Sequence, residues 1–177
     1  DKRLSARILI DNSGSMATLF PGYCKITKLY AAKFFAYYLS HLYYHNSEAV
    51  GLTPFCNSLG MYKPADGSAH NYRAIFSLLE NLKSTKGVTD YPKVLKDISN
   101  KLANGTEIFI ISDYYIDIPN LLWHLQPLTE KCSYVHIIQI ADTNEFTIHK
   151  LKKNEFLFID SESHTKKYFH KVAMRKK

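Results

Sequence analysis

The sequence predicts a doubly wound α/β domain, with a mostly parallel central sheet covered by helices on both faces. Short apolar runs typical of strands alternate with longer segments of helical periodicity. The strand-like runs are nearly continuous in apolar residues, as in strands buried on both faces. Oxygen-bearing side chains follow two of these runs directly. These observations predict the fold and also the sheet edge where a ligand binds, because ligands of such sheets lie beyond the carboxyl ends of the strands.

The elements follow from the apolar pattern and from the residues at their ends. Asp90 can cap the helix that follows it, and Pro92 suits the first turn of that helix. Gly51 lies inside a predicted strand, where another part of the chain can approach closely. The predicted strands are Arg7–Ile10, Ala49–Phe55, Glu107–Ser112, Tyr134–Ile140 and Glu155–Ile159, and the predicted helices are Lys25–His45, Tyr72–Leu82, Tyr91–Leu102 and Ile118–Leu128.

The first predicted helix is apolar on several sides, which predicts packing against both the sheet and neighbouring helices. Phe35 and Leu39 lie outside its main apolar stripe. That stripe consists of Ile26, Leu29, Tyr30, Phe34, Tyr37, Tyr38 and Leu42.

Length and composition bound the class of protein. A chain of 177 residues with 46% hydrophobic content forms one domain with a real core. Its three cysteines are far apart and form no C-x-x-C pair, which argues against a disulfide framework or a zinc knuckle and favours the reducing cytoplasm. No apolar run approaches the roughly 20 residues needed to cross a membrane. Because the chain starts at Asp1 without a Met, we expect a fragment whose flanking sequence can carry an anchor.

We expect residues 1–145 to form the core of the domain, and residues 146–177 to add a C-terminal strand and a basic helix. The segment from His149 to Lys177 contains nine Lys or Arg and three Asp or Glu residues, and so carries most of the net charge of +7. A basic segment can bind nucleic acid or anionic lipid. No nucleic-acid-binding motif accompanies it, so we expect a solvated helix rather than a nucleic-acid site.

Five oxygen-bearing side chains stand in loops that the predicted topology brings to one edge of the sheet. Asp11, Ser13 and Ser15 follow the first strand, Asp113 follows the strand Glu107–Ser112, and Thr89 precedes a helix. Mg²⁺ takes oxygen ligands at about 2.0–2.1 Å. The pattern predicts a Mg²⁺ site, with Mn²⁺ or Ca²⁺ as alternatives. The competing interpretation is that the serines cap a turn and Asp113 caps a helix.

This set of residues resembles the metal-ion-dependent adhesion site of von Willebrand factor A (vWA) domains. The D-x-S-x-S motif is complete at Asp11, Ser13 and Ser15. Thr89 stands in a Gly-x-Thr-Asp loop, and Asp113 belongs to a Ser-Asp pair. The closing stretch, from Phe146 to Glu162, is similar to the bacterial branch of A domains that is usually encoded beside MoxR-type AAA+ ATPases.

The resemblance implies a non-catalytic domain that binds Mg²⁺ and, through it, an Asp or Glu of a partner protein. Ser13 and Ser15 would bind the ion directly, the carboxylates often through water, and Thr89 directly or through water. The implied partner is a MoxR-type AAA+ ATPase, or a client protein that the pair remodels. Independently of the resemblance, Asp11 and Asp113 supply two negative charges that neutralise the ion and leave it able to attract an acidic group.

Apolar and aromatic residues next to the predicted ligands suggest a protein-binding rim. Leu19, Phe20 and Tyr23 follow the first loop, and Tyr114 follows Asp113. An apolar surround of a charged contact suits a protein interface. Tyr114 stands where the family often has a small residue, so we expect it to narrow access to the ion.

Catalysis fits the sequence less well. The enzymatic alternative is a Mg²⁺-dependent, phosphatase-like reaction that uses Asp11 as nucleophile. Such D-x-D enzymes need an acid two residues later, where this chain has Ser13. No Gly-x-Ser-x-Gly motif and no Walker-type phosphate loop occur. His41 and His45 share a helix face as zinc ligands do, but no third ligand is evident.

Overall fold

The computed structural model describes residues 5–20 and 26–142, together with the backbone of two further strands, at 155–159 and 166–170. Over these residues the chain alternates between strands and helices. The elements in chain order are β1 (Ser5–Asp11), α1 (Lys28–His45), β2 (Ala49–Phe55), β3 (Lys63–Asp66), α2 (Ala69–Asn81), α3 (Tyr91–Lys101), β4 (Glu107–Ser112), α4 (Ile118–Lys131), β5 (Tyr134–Gln139), β6 (Glu155–Ile159) and β7 (Lys166–His170).

The main sheet has the strand order β3-β2-β1-β4-β5. The pairs β1–β2, β1–β4 and β4–β5 are parallel, and β3 adds antiparallel to β2. In the centre, Ile10 lies opposite Pro54 on one side and Ile111 on the other. The predicted doubly wound, mostly parallel sheet is therefore confirmed. No helix among the described residues is sufficiently long and apolar to span a membrane.

Successive side chains of β1 belong to two separate hydrophobic cores, one on each face of the sheet. Ile8 and Ile10 belong to one buried cluster, and Leu9 belongs to the other. The first cluster joins the sheet to α1 and α2 through Leu29, Ala32, Ala36, Ile75 and Leu79. The second joins it to α3 and α4 through Val94, Leu95, Ile98, Leu121, Leu125 and Leu128. Because successive side chains of a strand point to opposite faces, one apolar strand anchors both helical layers.

The face of α1 that packs on the sheet differs from the predicted stripe. Its buried positions include Ala32, Ala36 and Leu39, whereas Tyr30, Phe34, Tyr38 and Leu42 of the predicted stripe are exposed. The prediction weighted large apolar side chains and overlooked the two alanines. Their small side chains let the helix lie close to the sheet, which turns the aromatic residues outward.

The helices begin at capping residues that the sequence supplies. The side chains of Thr27, Ser68, Asp90 and Asp117 each accept a hydrogen bond from the backbone N–H three residues later, at the starts of α1, α2, α3 and α4 respectively. The predicted capping role of Asp90 is confirmed. Asp117, rather than Asp113, caps α4, which leaves Asp113 free of the capping role that the competing interpretation gave it.

The remaining differences between the predicted and the observed elements concern short or terminal segments. The four-residue edge strand β3 was not predicted. The strand Glu155–Ile159 was predicted, but it pairs antiparallel with β7 in a separate two-stranded sheet. The expected basic helix is wrong at Lys166–His170, which is a strand. Residues 171–177 lie outside the described part of the chain, and the domain boundary at residue 145 stays a prediction.

Gly51 makes room for the side chain that fastens the edge strand. The Arg7 guanidinium donates to the carbonyl oxygen of Lys63 and, at 2.7 Å, to the hydroxyl of Tyr62. It also lies over the Tyr62 ring, 4.2 Å from its centroid. A Cβ atom on Gly51 would lie 2.6 Å from the Lys63 carbonyl oxygen and would collide with the guanidinium. The predicted close approach at Gly51 is thus made by Arg7 and by the backbone of β3.

We predict that Gly51→Ala lowers the free energy of unfolding by about 1–3 kcal/mol, because both Arg7 and β3 must move. Urea denaturation followed by circular dichroism measures this loss. In an Arg7→Ala background the same substitution should cost less, since one of the two clashes is gone. Equal costs in the two backgrounds would contradict the proposed clash with Arg7.

Candidate metal centre

The candidate site lies at the carboxyl edge of the sheet, where β1 and β4 end side by side. Asp11 is the last residue of β1, and Asp113 directly follows β4. The loop that carries Thr89 is fastened to the loop after β1 by two backbone hydrogen bonds, Gly14 N–H to Gly87 O at 3.3 Å and Thr85 N–H to Asn12 O at 2.7 Å. Three loops that are distant in sequence therefore meet at one edge.

The structure brings the five residues predicted from the sequence to this edge. The Thr89 hydroxyl lies 3.1 Å from Asp11 Oδ2, and the Ser13 backbone N–H donates to Asp11 Oδ1 at 2.8 Å. Ser13 Oγ and Ser15 Oγ are 3.1 Å apart. Desolvation raises the pKa of Asp113, and the Ser15 side chain partly opposes this rise. The structure thus brings all five together.

Burial gives this edge an unusual electrostatic character. Asp11, Ser13 and Ser15 are essentially inaccessible to solvent, and Asp113 is buried. Desolvation raises the pKa of Asp11 above its ordinary value, opposed by hydrogen bonds from Ser112 and Ser13. Desolvation also raises the pKa of Asp113, and the nearby negative charge of Asp11 raises it further. Two carboxylates that repel each other in a desolvated site favour a cation between them.

The chemistry of the donors fits a hard divalent ion. All five side chains offer oxygen, with two carboxylates and three hydroxyls. The five residues include no His or Cys, which would supply the nitrogen and sulfur ligands that zinc and copper prefer. Across the described residues, no group of three or more His, Cys, Asp and Glu side chains is arranged to hold a metal. Mg²⁺, Mn²⁺ or Ca²⁺ suits this donor set, and the role of these residues as metal ligands stays a prediction.

Sequence analysis missed the two residues that orient Asp11. Ser112 Oγ donates to Asp11 Oδ2 at 2.5 Å, and the Tyr91 hydroxyl lies 2.6 Å from Ser112 Oγ. Ser112 belongs to β4 and Tyr91 begins α3, so the contact needs the assembled sheet. The sequence gives only an indirect indication of the role of Ser112, which is its position directly before the predicted ligand Asp113.

Lys28 is a third residue whose position the sequence did not reveal. It is the first residue of α1 and is only 1% exposed. Its ammonium group lies 3.4 Å from Asp113 Oδ2 and 3.0 Å from the Tyr115 hydroxyl. It also lies 4.6 Å from the centroid of the Tyr115 ring. The Lys28 charge lowers the pKa of Asp113, although desolvation has the larger, opposite effect. The available sequence signal is a lysine at the predicted start of a helix, because the helix dipole disfavours a cation there.

The structure gives the exposure of three of the four predicted rim residues, and their role in binding a partner stays a prediction. Leu19 is 54% exposed and Phe20 is half-buried, while Tyr23 lies outside the described residues. Tyr114 does not belong to the rim, since it is only 6% exposed. Its hydroxyl donates to the Ile110 carbonyl at 2.5 Å, and its ring stacks on Tyr91.

Tyr114 has an unusual backbone conformation, and the next residue, Tyr115, lies at the surface instead. Tyr114 has a φ of 53°, in the left-handed region that non-glycine residues seldom adopt. This conformation folds the Tyr114 ring under the sheet edge, and Tyr115 is left 63% exposed. The expected narrowing of the site by Tyr114 is therefore wrong, and the aromatic residue on the surface beside Asp113 is Tyr115.

His41 and His45, which share a helix face, belong to an exposed aromatic group. Their ring centroids are 6.1 Å apart. The Nδ1 atom of His41 lies 3.2 Å from the Tyr72 hydroxyl. These contacts agree with surface histidines that pack on aromatic neighbours.

The chain was compared with known proteins. No family model and no curated protein sequence matches it. Solved structures match in fold: BatB of Bacteroides thetaiotaomicron has 16% identity and a TM-score of 0.61, covering 77% of this chain and 66% of that chain. An aerotolerance-related membrane protein from Bacteroides fragilis has 14% identity and a TM-score of 0.62, covering 97% of this chain and 83% of that one. A von Willebrand factor type A protein from Catenulispora acidiphila has 16% identity and a TM-score of 0.50, covering 76% of this chain and 33% of that one.

The chain has the fold of a vWA domain. At these identities the likeness concerns the fold, and the candidate site of this vWA-fold domain is argued from its own side chains. The chain spans just under two thirds of BatB, so it corresponds to part of that structure.

We predict that Asp11→Asn raises the melting temperature of the metal-free protein at pH 7. Because burial raises the pKa of Asp11 above its ordinary value, keeping the carboxyl group folded and buried costs free energy as the pH rises above that ordinary value, and a neutral amide removes the cost. Thermal unfolding in EDTA measures the effect. Asp90→Asn is the matched control and should be neutral, since Asn caps a helix as well as Asp. A clear loss of stability in Asp11→Asn would contradict an excess of negative charge at the site.

Proposed function

We propose that this domain binds Mg²⁺ through Asp11, Ser13, Ser15, Thr89 and Asp113, and uses the bound ion to engage an acidic residue of a partner protein without catalysis. The observation that carries the proposal is the convergence of these five residues at one buried sheet edge: Thr89, Asp11, Ser13 and Ser15 are linked by successive contacts, and the buried Asp113 directly follows the neighbouring strand. A set of capping serines would not need two buried carboxylates within reach of the same hydroxyls.

Each side chain has a distinct part in this proposal. Asp11 and Asp113 supply negative charge, while the hydroxyls of Ser13, Ser15 and Thr89 supply neutral oxygen. A bound hard cation would offer the partner a positive centre for a carboxylate. Ser112, supported by Tyr91, holds the Asp11 carboxylate in one orientation. Outer partners of this kind typically change metal affinity by about 10–100-fold.

The surface beside the site suits a protein partner. Leu19, Val88 and Tyr115 are large apolar or aromatic side chains, each more than half exposed, and they belong to the three loops that form the site. An apolar surround excludes water from a central charged contact and so strengthens it. From the resemblance to the bacterial A domains, we propose a MoxR-type AAA+ ATPase, or its client, as the partner. The cytoplasmic location stays a prediction.

The placement of Asp11 favours binding over phosphoryl transfer. A nucleophile must reach its substrate, whereas Asp11 is fully buried. Both of its oxygens accept hydrogen bonds, from Ser13 on one side and from Ser112 and Thr89 on the other. No observation favours the phosphatase-like alternative over the adhesion site.

We predict that the wild-type protein binds Mg²⁺ in isothermal titration calorimetry, and that Ser13→Ala and Asp113→Ala weaken binding by at least about 100-fold, because each removes a ligand. Circular dichroism should show an intact fold in both variants. Ser58→Ala, on an exposed loop, serves as the control and should bind as wild type does. Hydrolysis of p-nitrophenyl phosphate by wild type, lost in Asp11→Asn, would favour the enzymatic alternative instead.

We also predict that Leu19→Ser weakens binding to a MoxR-type ATPase by about 1 kcal/mol or more, since an apolar contact beside the ion is lost. Its affinity for Mg²⁺ should not change, because Leu19 is exposed outside the cluster of oxygens. Surface plasmon resonance in Mg²⁺ and in EDTA separates the two effects. If the ATPase fails to bind wild type in either buffer, this partner is wrong while the metal site stands.

A further inference from the structure

Burying the charged side chain of Lys28 costs folding free energy unless other groups interact favourably with its charge. The side chain is fully buried, and a buried ammonium group loses its hydration. It stands at the first position of α1, where the helix dipole repels a cation, and the first turn of α1 has no acidic residue to compensate. A leucine or methionine at this position would bury as much carbon without these costs.

What Lys28 gains is a place inside the candidate metal site. Its ammonium group pairs with Asp113 Oδ2 at 3.4 Å, and both side chains are almost completely buried. The Tyr115 hydroxyl, 3.0 Å away, accepts from the same ammonium group, and the Tyr115 ring lies beside it. Lys28 thus joins a predicted metal ligand to an aromatic residue of the exposed rim.

We propose that Lys28 is an internal counter-cation that sets both the metal affinity and the ligand preference of this site; the proposal rests on the proposed function above. Its positive charge offsets one of the two charges of Asp11 and Asp113, so the site attracts a divalent cation less strongly than two bare carboxylates would. Its contact with Asp113 also stabilises the metal-free protein.

The same charge acts in the opposite direction on an acidic visitor. Once a divalent cation is bound, the two carboxylates, the ion and Lys28 leave one positive charge among these groups. A partner's single carboxylate neutralises that charge. Without Lys28 the same groups would be neutral, and the carboxylate would be attracted less. Lys28 therefore lowers the affinity of the site for the metal ion and raises the affinity of the metal-loaded site for a monoanionic ligand.

The test compares Lys28→Met, which keeps an apolar stem of similar length and removes the charge, with wild type. We expect Lys28→Met to bind Mg²⁺ at least about tenfold more tightly in isothermal titration calorimetry. Acetate, titrated into the Mg²⁺-loaded proteins and followed by the amide NMR signals of Ser13 and Ser15, should bind the variant more weakly. Lys28→Arg should behave as wild type in both titrations. Lys33→Met, on the same helix and outside the site, is the control for losing a lysine.

The outcomes separate this inference from the function on which it rests. Unchanged or weaker Mg²⁺ binding by Lys28→Met, beside normal binding by wild type, overturns the role of Lys28 and leaves the metal site standing. If neither protein binds Mg²⁺, both the metal site and the role of Lys28 fall. Binding by the variant alone supports the effect of Lys28 on metal affinity but overturns the proposed function, because wild type then binds no Mg²⁺. Should Lys28→Met not fold without metal, Lys28→Gln, whose amide can still donate to Asp113, must show the same tightening.

Discussion

The structure depends on two carboxylates that the sheet forces into one buried space. Asp11 ends β1 and Asp113 directly follows the neighbouring parallel strand β4, and the register of Ile10 opposite Ile111 brings both to the same edge of the sheet. Each is shielded from water, and the negative charge of Asp11 raises the pKa of Asp113. Like charges held in a medium of low dielectric constant require compensation. The loops around this edge are arranged to provide it.

Three kinds of group can compensate the negative charges of Asp11 and Asp113. Hydroxyl and backbone donors surround Asp11, with Ser112, Thr89 and the Ser13 N–H all within hydrogen-bonding distance. The Lys28 ammonium group offsets the charge of Asp113. In the proposed function a divalent cation would be the third, and the oxygen donors fit one. The first two kinds of group would then stabilise the buried site in the metal-free protein.

Much of the fold was predictable because its signals are local. Glu107–Ser112 and Ala49–Phe55 were predicted with the observed bounds, since continuous apolar runs and the residues that flank them are visible along the chain. The cap at Asp90 was predictable for the same reason. The buried face of α1 was not, because Ala32 and Ala36 are buried by the approach of a sheet whose position the sequence does not state.

The sequence by itself determined the alternation of strands and helices and the five oxygen-bearing residues, because spacing along the chain and the rule that parallel strands share a carboxyl edge suffice for both. Only the tertiary structure decided which side chains surround those oxygens. Ser112 reaches Asp11 across 101 positions, and Lys28 reaches Asp113 across 85. That Tyr114 is buried and Tyr115 is exposed likewise appears only in the tertiary structure, where Tyr114 contacts Ile110 and Tyr91. Such contacts arise from packing and register, which residue identity alone does not encode.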